Sequence, residues 1–381
     1  MRFSGAFLLF IITATLTGQV IHVDGILGSD SNPGTELLPV RTVAMANSLL
    51  QPGATLKLRA GQEFLLNANG AQPLFIQHSQ VVVDRYGRGA NPILDGEDVV
   101  PAIGLLGASY VTIQNITLRN GTLSSCMLLG GAVNGLLMAN CRFQGGSIGL
   151  EAQAAQLPSG YGNQLVACNF LAQNVDGLSI HGDIHFTIVQ CIFAMIGLNN
   201  PFGGAGDACS SHDTATIGAY SCLFLENRRG AMVNINNSGT NYLVNCSVKS
   251  TVAPSLVRQD GGGTTVVVNC RLTLAGAQLG AAVLTFAGGT IQCAFTRVTN
   301  ASSNPNSVSF FSSANLSAYN CTRDASGGAL HAGITGSGTF MGDFNSYLQT
   351  GTLWVGPSGP IDFPTWQALT GADLNSLGAS G

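Results

Sequence analysis

The sequence predicts an all-β chain wound as a single right-handed parallel β-helix, a solenoid with a short N-terminal capping helix. Three observations predict it: a cysteine phrase that returns about once per coil, period-two alternation between its copies, and a composition rich in glycine and poor in charge.

The phrase comes first, because an internal period decides the architecture. Asn140-Cys141-Arg142-Phe143, Ala167-Cys168-Asn169-Phe170, Gln190-Cys191-Ile192-Phe193 and Ser221-Cys222-Leu223-Phe224 are variants of one segment. It continues as Asn245-Cys246-Ser247-Val248, Asn269-Cys270-Arg271-Leu272, Gln292-Cys293-Ala294-Phe295 and Asn320-Cys321-Thr322-Arg323, and Asn115-Ile116-Thr117-Leu118 is an earlier copy without cysteine. Successive cysteines lie 27, 23, 31, 24, 24, 23 and 28 residues apart, room for three short strands and their turns. Leucine-rich repeats share the period but carry a phrase missing here, and propeller blades need about 40 residues. Between copies run alternating segments such as Tyr110-Val111-Thr112-Ile113 and Thr264-Thr265-Val266-Val267-Val268, the mark of strands with one face buried. Stacked coils turn one position per coil into a ladder, so the cysteines form an inner column. Cysteine packs as a small hydrophobe, and a regular ladder predicts free buried thiols rather than disulfides.

Composition agrees. Glycine fills 50 positions and charged residues only 9%, while hydrophobic content of 45% is enough for a large core. That balance fits short strands and tight turns, not amphipathic helices. Lys57 and Lys249 are the only lysines, and a net charge of -4 argues against a nucleic-acid surface. Arg2 followed by an apolar run from Ala6 to Leu16 reads as a signal peptide over residues 1–18, too short to span a bilayer. Secretion or a periplasmic location is the expectation, with no membrane contact after signal removal. The remaining chain divides into residues 19–100 (cap and first coils), 101–335 (coils) and 336–381 (last coil and cap).

The two ends carry a resemblance. Val23-Asp24, then Gly28-Ser29-Asp30-Ser31-Asn32-Pro33-Gly34-Thr35 and Pro39-Val40-Arg41-Thr42, resembles the opening of many exported bacterial β-helix proteins of the pectin-lyase-like superfamily. The closing segment from Phe363 to Ser376, with Trp366, Gly371 and Asp373, is similar to their tails. The resemblance implies a capping helix over Val43 to Leu50 and a Pro52-Gly53 turn into a strand, and it makes Asp30 and Asp373 turn and cap residues.

Candidate chemistry clusters between Asp176 and Asp213, which holds three of the six histidines. Asp176 and Asp207 each precede their coil's cysteine by 15 residues, and His181 and His212 by 10, so the copies stack. In that register Ser179, Ser210, Asn234 and Arg258 stand 12 residues before their cysteines, and His181, His212, Asn236 and Asp260 stand 10 before. Leu178, Cys209, Val233 and Val257 at minus 13 form a buried column. Alternation places the two polar columns on one solvent face, a patch about 14 Å tall. Imidazoles and carboxylates there transfer protons, and the fork of Arg258 can hold a uronate carboxylate.

Two motifs are similar to those of polygalacturonase-type hydrolases: Asn174-Val175-Asp176-Gly177 and Gly206-Asp207-Ala208-Cys209. The resemblance implies acids acting on successive coils, yet Ala208 replaces the second acid, and Asn234-Ile235-Asn236 stands where a histidine motif belongs. An intact polygalacturonase is therefore not expected. Lys249 and the pair Arg228-Arg229 read as solvated cations near turns.

The expectation is a secreted carbohydrate-active protein, a polysaccharide lyase or hydrolase. His212, His181, Asp207, Asp176, Asp213 and Arg258 are its catalytic candidates, and Ser179, Ser210, Asn234, Asn236 and Asp260 its substrate-binding ones. The partner is a polysaccharide. No cofactor is required, though His181, His212, Asp183 and Asp213 could hold a calcium or transition-metal ion. The alternative is a non-catalytic glycan-binding or cell-surface β-helix.

Overall fold

In the computed structural model each coil contributes one strand to each of three sheets, the first and third of 13 strands and the second of 12. The described residues are 18–67, 72–120, 123–152, 160–199, 206–235, 237–277, 279–286, 288–304, 306–325, 330–335, 338–347, 354–356 and 359–376. Residues 1–17, most of the expected signal peptide, lie outside them. After the first pair, Val20–Val23 with Thr55–Arg59, sheet neighbours are three strands apart in sequence and pair in parallel, as Arg142–Gly145 does with Asn169–Leu171. Among the described strands only the last pair, Trp354–Gly356 with Gly359–Ile361, is antiparallel. No described helix is long and apolar enough to cross a membrane.

The repeated phrase marks the corner between the first and second sheets. Asn115, Asn140, Ala167, Gln190, Ser221, Asn245, Asn269 and Asn320 all take positive φ between 51° and 58°. Asparagine tolerates that left-handed conformation better than most residues, which accounts for its frequency before the cysteine. Asn140 also donates to the Asn115 side chain, and Asn269 to that of Asn245, each at 2.8 Å.

All ten cysteines are free and buried. Cys141, Cys168, Cys191, Cys222, Cys246 and Cys270 occupy the same corner position on successive coils, next to strands paired in one register. One expected member is displaced. Cys293 lies in the first sheet, paired with Val267 and Ala318, and Thr296 takes the corner position between Cys270 and Cys321. Phe295, not Gln292, is the left-handed residue of that coil, at φ 51°. Thr296 fills the role with its hydroxyl, which accepts from Cys270 N–H at 3.4 Å and donates to the Ala294 carbonyl at 3.0 Å.

Two residues past the cysteine, Phe143, Phe170, Phe193 and Phe224 stack inside the coil at centroid spacings of 4.2, 4.5 and 5.2 Å. Each ring contributes its burial, about 2–3 kcal/mol, and about 1 kcal/mol more from stacking. The column continues through Val248, Leu272 and Val298 to Arg323, a guanidinium fully buried in an apolar register. The Phe310, Phe340 and Tyr347 rings surround it at 4.4 to 5.1 Å, and Asp373 Oδ1 lies 3.8 Å from it.

Both ends are covered, which protects the sheet edges. The first cap, α1 (Val43–Leu49), starts at Thr42, whose hydroxyl accepts from Met45 N–H at 3.1 Å and so satisfies a free first-turn donor. The Asp30 carboxylate holds the approach, accepting from the N–H groups of Arg41 and Thr42 and from the Thr42 hydroxyl. The second helix, α2 (Phe363–Thr370), lies between its Asp362 N-cap and the left-handed Gly371. It buries Trp366, and the following Asp373 accepts from Tyr347 Oη, Trp366 Nε1 and Asn345 Nδ2. Asp30 and Asp373 are thus cap residues.

Candidate functional site

The third sheet carries the site, on adjacent strands Asp176–Ile180, Asp207–His212, Gly230–Ile235 and Ser255–Asp260. Leu178 pairs with Cys209 and Ser179 with Ser210, as the spacing from the cysteines predicts. The next coil departs by one residue. Val233, not Asn234, lies between Ser210 and Arg258, and Ile235 lies between His212 and Asp260. Asn234 pairs instead with Ser211 and Gln259, and the buried column runs through Met232 rather than Val233. Four residues separate Ile235 from Thr240, where three separate His212 from Thr216 and Asp260 from Thr264, so counting back from the cysteine slips there. Asn236, the other expected contact of that coil, lies outside the described residues.

His181 and His212 stack, with centroids 4.0 Å apart and planes 4° from parallel. Ser210 Oγ is 2.8 Å from His212 Nε2, and Asp213 Oδ2 is 4.0 Å from His181 Nδ1. Asp213 takes a left-handed φ of 60° at the corner after His212, and its carboxylate accepts from Gly182 N–H at 3.0 Å. Desolvation, with a smaller push from the neighbouring His181 imidazole and against an opposing pull from Asp213, lowers the His212 pKa to about 4. His212 is therefore neutral at physiological pH.

At the far end Arg258 grips one oxygen of Asp260, with Nε at 2.7 Å and a terminal nitrogen at 2.6 Å, and lies 5.6 Å from the Phe286 ring. This cation is already paired, so an incoming carboxylate would share it with Asp260.

Several candidates do not face solvent. Ser179 and Ser210 are 4% and 1% exposed, the latter beneath His212. Asp176 and Asp207, expected as catalytic groups, are 6% and 0% exposed. Both strands are buried at each of their first five positions. The two acids share the parity of the buried Leu178 and Cys209 and turn inward as alternation requires; alternation fails instead at Ser179 and Ser210. Asp207 N–H donates to Asp176 Oδ1 at 3.1 Å, while among the described residues neither Asp207 carboxylate oxygen has a hydrogen-bond partner. Burial pushes the Asp176 pKa up to about 7. Burial and the Asp176 charge push Asp207 well above the carboxylate range. Asp207 keeps its proton at neutral pH, and both acids lie inside the coil, out of reach of a substrate on the surface.

The sequence reading missed two neighbours, Tyr161 and His185. His185 Nε2 is 3.0 Å from Asp183 Oδ1, and Tyr161 Oη donates to Asp183 Oδ2 at 3.1 Å. The signal was the alternation of His181, Asp183 and His185, three polar side chains at period two. Among the described residues no group of three histidine, cysteine or acidic side chains is arranged to hold a metal ion, so the expected His181, His212, Asp183 and Asp213 set does not converge.

No protein-family model matches the chain, and no curated protein does. Among solved structures it is similar to a GH136 lacto-N-biosidase from Eubacterium ramulus, at 12% identity and TM-score 0.48 over 96% of this chain and 67% of that one. A rhamnogalacturonan lyase is similar at 15% identity and TM-score 0.47, covering 89% and 84% of the two chains. The pectate lyase Pel9A is similar at 12% identity and TM-score 0.39, covering 95% and 79%. Its three sheets of stacked parallel strands make the chain a parallel β-helix.

Proposed function

We propose that this protein is an exported carbohydrate-active protein that lays a polysaccharide across the coils of the third sheet, with His212 as general base. The stacked, surface-reaching His181–His212 pair carries the reading. Buried structural histidines have no reason to recur on successive coils with part of each ring open to solvent. In the tautomer whose Nε2–H donates to Ser210 Oγ, the lone pair on His212 Nδ1 serves as the base, and the low pKa keeps it unprotonated. A base so placed can take a proton from a ring carbon in elimination or from water in hydrolysis. His181 and Asp213 stand beside it to orient the sugar and return a proton, and Arg258 with Asp260 offers polar contacts two coils away, roughly 10 Å. The burial of Asp176 and Asp207 speaks against hydrolysis by a facing carboxylate pair, which needs both acids at the glycosidic bond.

The second reading, a non-catalytic glycan-binding protein, is favoured by the Arg258–Asp260 pairing, which occupies the cation expected to neutralise a uronate. A polysaccharide panel separates the two, scored for unsaturated products and for new reducing ends. The enzyme reading expects product from wild type and at least about a 100-fold loss in His212→Ala at unchanged melting temperature. Glycan binding without product by either assay establishes the second reading instead.

A further inference from the structure

Tyr161, Asp183 and His185 lie beside the imidazole pair, where the third sheet turns into the first, and the proposed chemistry uses none of them. A β-bulge sets them there. Gly160 pairs with Ile184 and Asn163 with Phe186, so Tyr161 and Gly162 together oppose the single residue His185. Gly162 takes φ 73°, a conformation that suits glycine. Bulges re-aim a side chain, and here the Tyr161 ring comes to 4.5 Å from the His185 ring, tilted by 33°.

We propose that Tyr161, His185 and Asp183 form a sugar-binding subsite that takes a neutral pyranose residue of the chain whose neighbouring residues lie over His181 and His212. The proposal rests on the reading that this face binds a polysaccharide. Tyr161 is 52% exposed, a flat apolar surface suited to the C–H face of a sugar ring. Its pose is fixed in advance: Oη donates to Asp183, the backbone N–H donates to Asn134 Oδ1 at 2.9 Å, and the carbonyl accepts from Gly135 N–H. Binding therefore immobilises little that is free, which favours affinity. Asp183 holds one ring with each oxygen, the Tyr161 hydroxyl on Oδ2 and the His185 imidazole on Oδ1. Its negative charge, with Asp213 close by, disfavours a uronate here and selects an uncharged residue. The subsite joins the imidazoles directly, since Gly182, between His181 and Asp183, is held by the Asp213 carboxylate.

The test measures binding of soluble xylan, glucomannan and polygalacturonate to the full protein and to Tyr161→Ala, Tyr161→Phe, Asp183→Asn and His212→Ala, with melting temperature as the fold control. Tyr161→Ala should weaken binding of the neutral glycans about tenfold, while Tyr161→Phe, which keeps the ring, stays within about threefold. Asp183→Asn should improve polygalacturonate binding. If wild type binds a neutral glycan and Tyr161→Ala binds it equally well, the subsite is wrong and the reading of the face stands. Wild type that binds polygalacturonate alone also overturns the subsite. Wild type that binds none of the three overturns both.

Discussion

The His181 and His212 rings lie face to face at 4.0 Å, and that contact, with partial burial, keeps His212 unprotonated at neutral pH. Two protonated imidazoles at that spacing repel, and the half-buried ring solvates a charge poorly. The His212 ring-proton resonance should therefore titrate near pH 4 by NMR in the folded protein. In the unfolded chain it titrates near 6.5, so the unfolded state binds more protons between the two values. This group's contribution to stability is unchanged above pH 7 and turns unfavourable as pH falls from 6.5 toward 4. A resonance titrating near 6.5 in the native protein would contradict the stacked arrangement.

The buried acids have the opposite sign. Asp176 and Asp207 keep their protons in the folded state while the unfolded chain releases them above about pH 4. Their burial therefore costs stability progressively as pH rises from 4 toward 7. Asp207→Asn, neutral and of the same shape, should raise unfolding free energy at pH 7 by about 1–3 kcal/mol. The gain should vanish below pH 4, where both states hold the proton. Chemical denaturation at pH 3.5, 5 and 7 reads this out; a destabilised Asp207→Asn at pH 7 means the carboxylate is ionised and paired.

Arg323 depends on Asp373. Removing the negative charge leaves a guanidinium buried among Phe310, Phe340 and Tyr347 with no counter-ion. Asp373→Asn should cost about 3–5 kcal/mol in chemical denaturation. Adding Arg323→Met should recover most of the loss, since the preceding positions of that column are Val298 and Leu272.

The cysteines should be chemically silent. All ten are buried out of reach of a reagent, and at Cys126 burial also pushes the thiol up to about 12. Because the thiolate is the reactive form, a thiol reagent at pH 8 should modify none in the native protein and all ten after guanidinium unfolding. Fewer than ten in the unfolded, unreduced chain would reveal disulfides.

The coil period and the inner cysteine column were legible because both rest on a repeated steric demand, a small buried residue after a left-handed one, while the capping helix was legible from the resemblance of the opening segment. The register failed where that demand has substitutes. Thr296 meets it with a hydroxyl, so Cys293 stood in falsely for the corner residue. The register read well at His181, His212, Arg258 and Asp260, where connections to the next strand are equal in length. It failed at Asn234, whose coil has a longer connection, and Asp176 and Asp207 share the parity of the buried Leu178 and Cys209, so alternation itself turns them inward. Tyr161 was invisible because a bulge, not a regular register, brings it to His185.

The most direct test of the central claim is the pH dependence of kcat/KM on a polysaccharide that the protein cleaves. With His212 as base, the rate should hold from pH 7 to about 5 and fall only as pH approaches 4, and His212→Ala should abolish that limb. An acid limb centred near 6.5, or one that persists unchanged in His212→Ala, would contradict it.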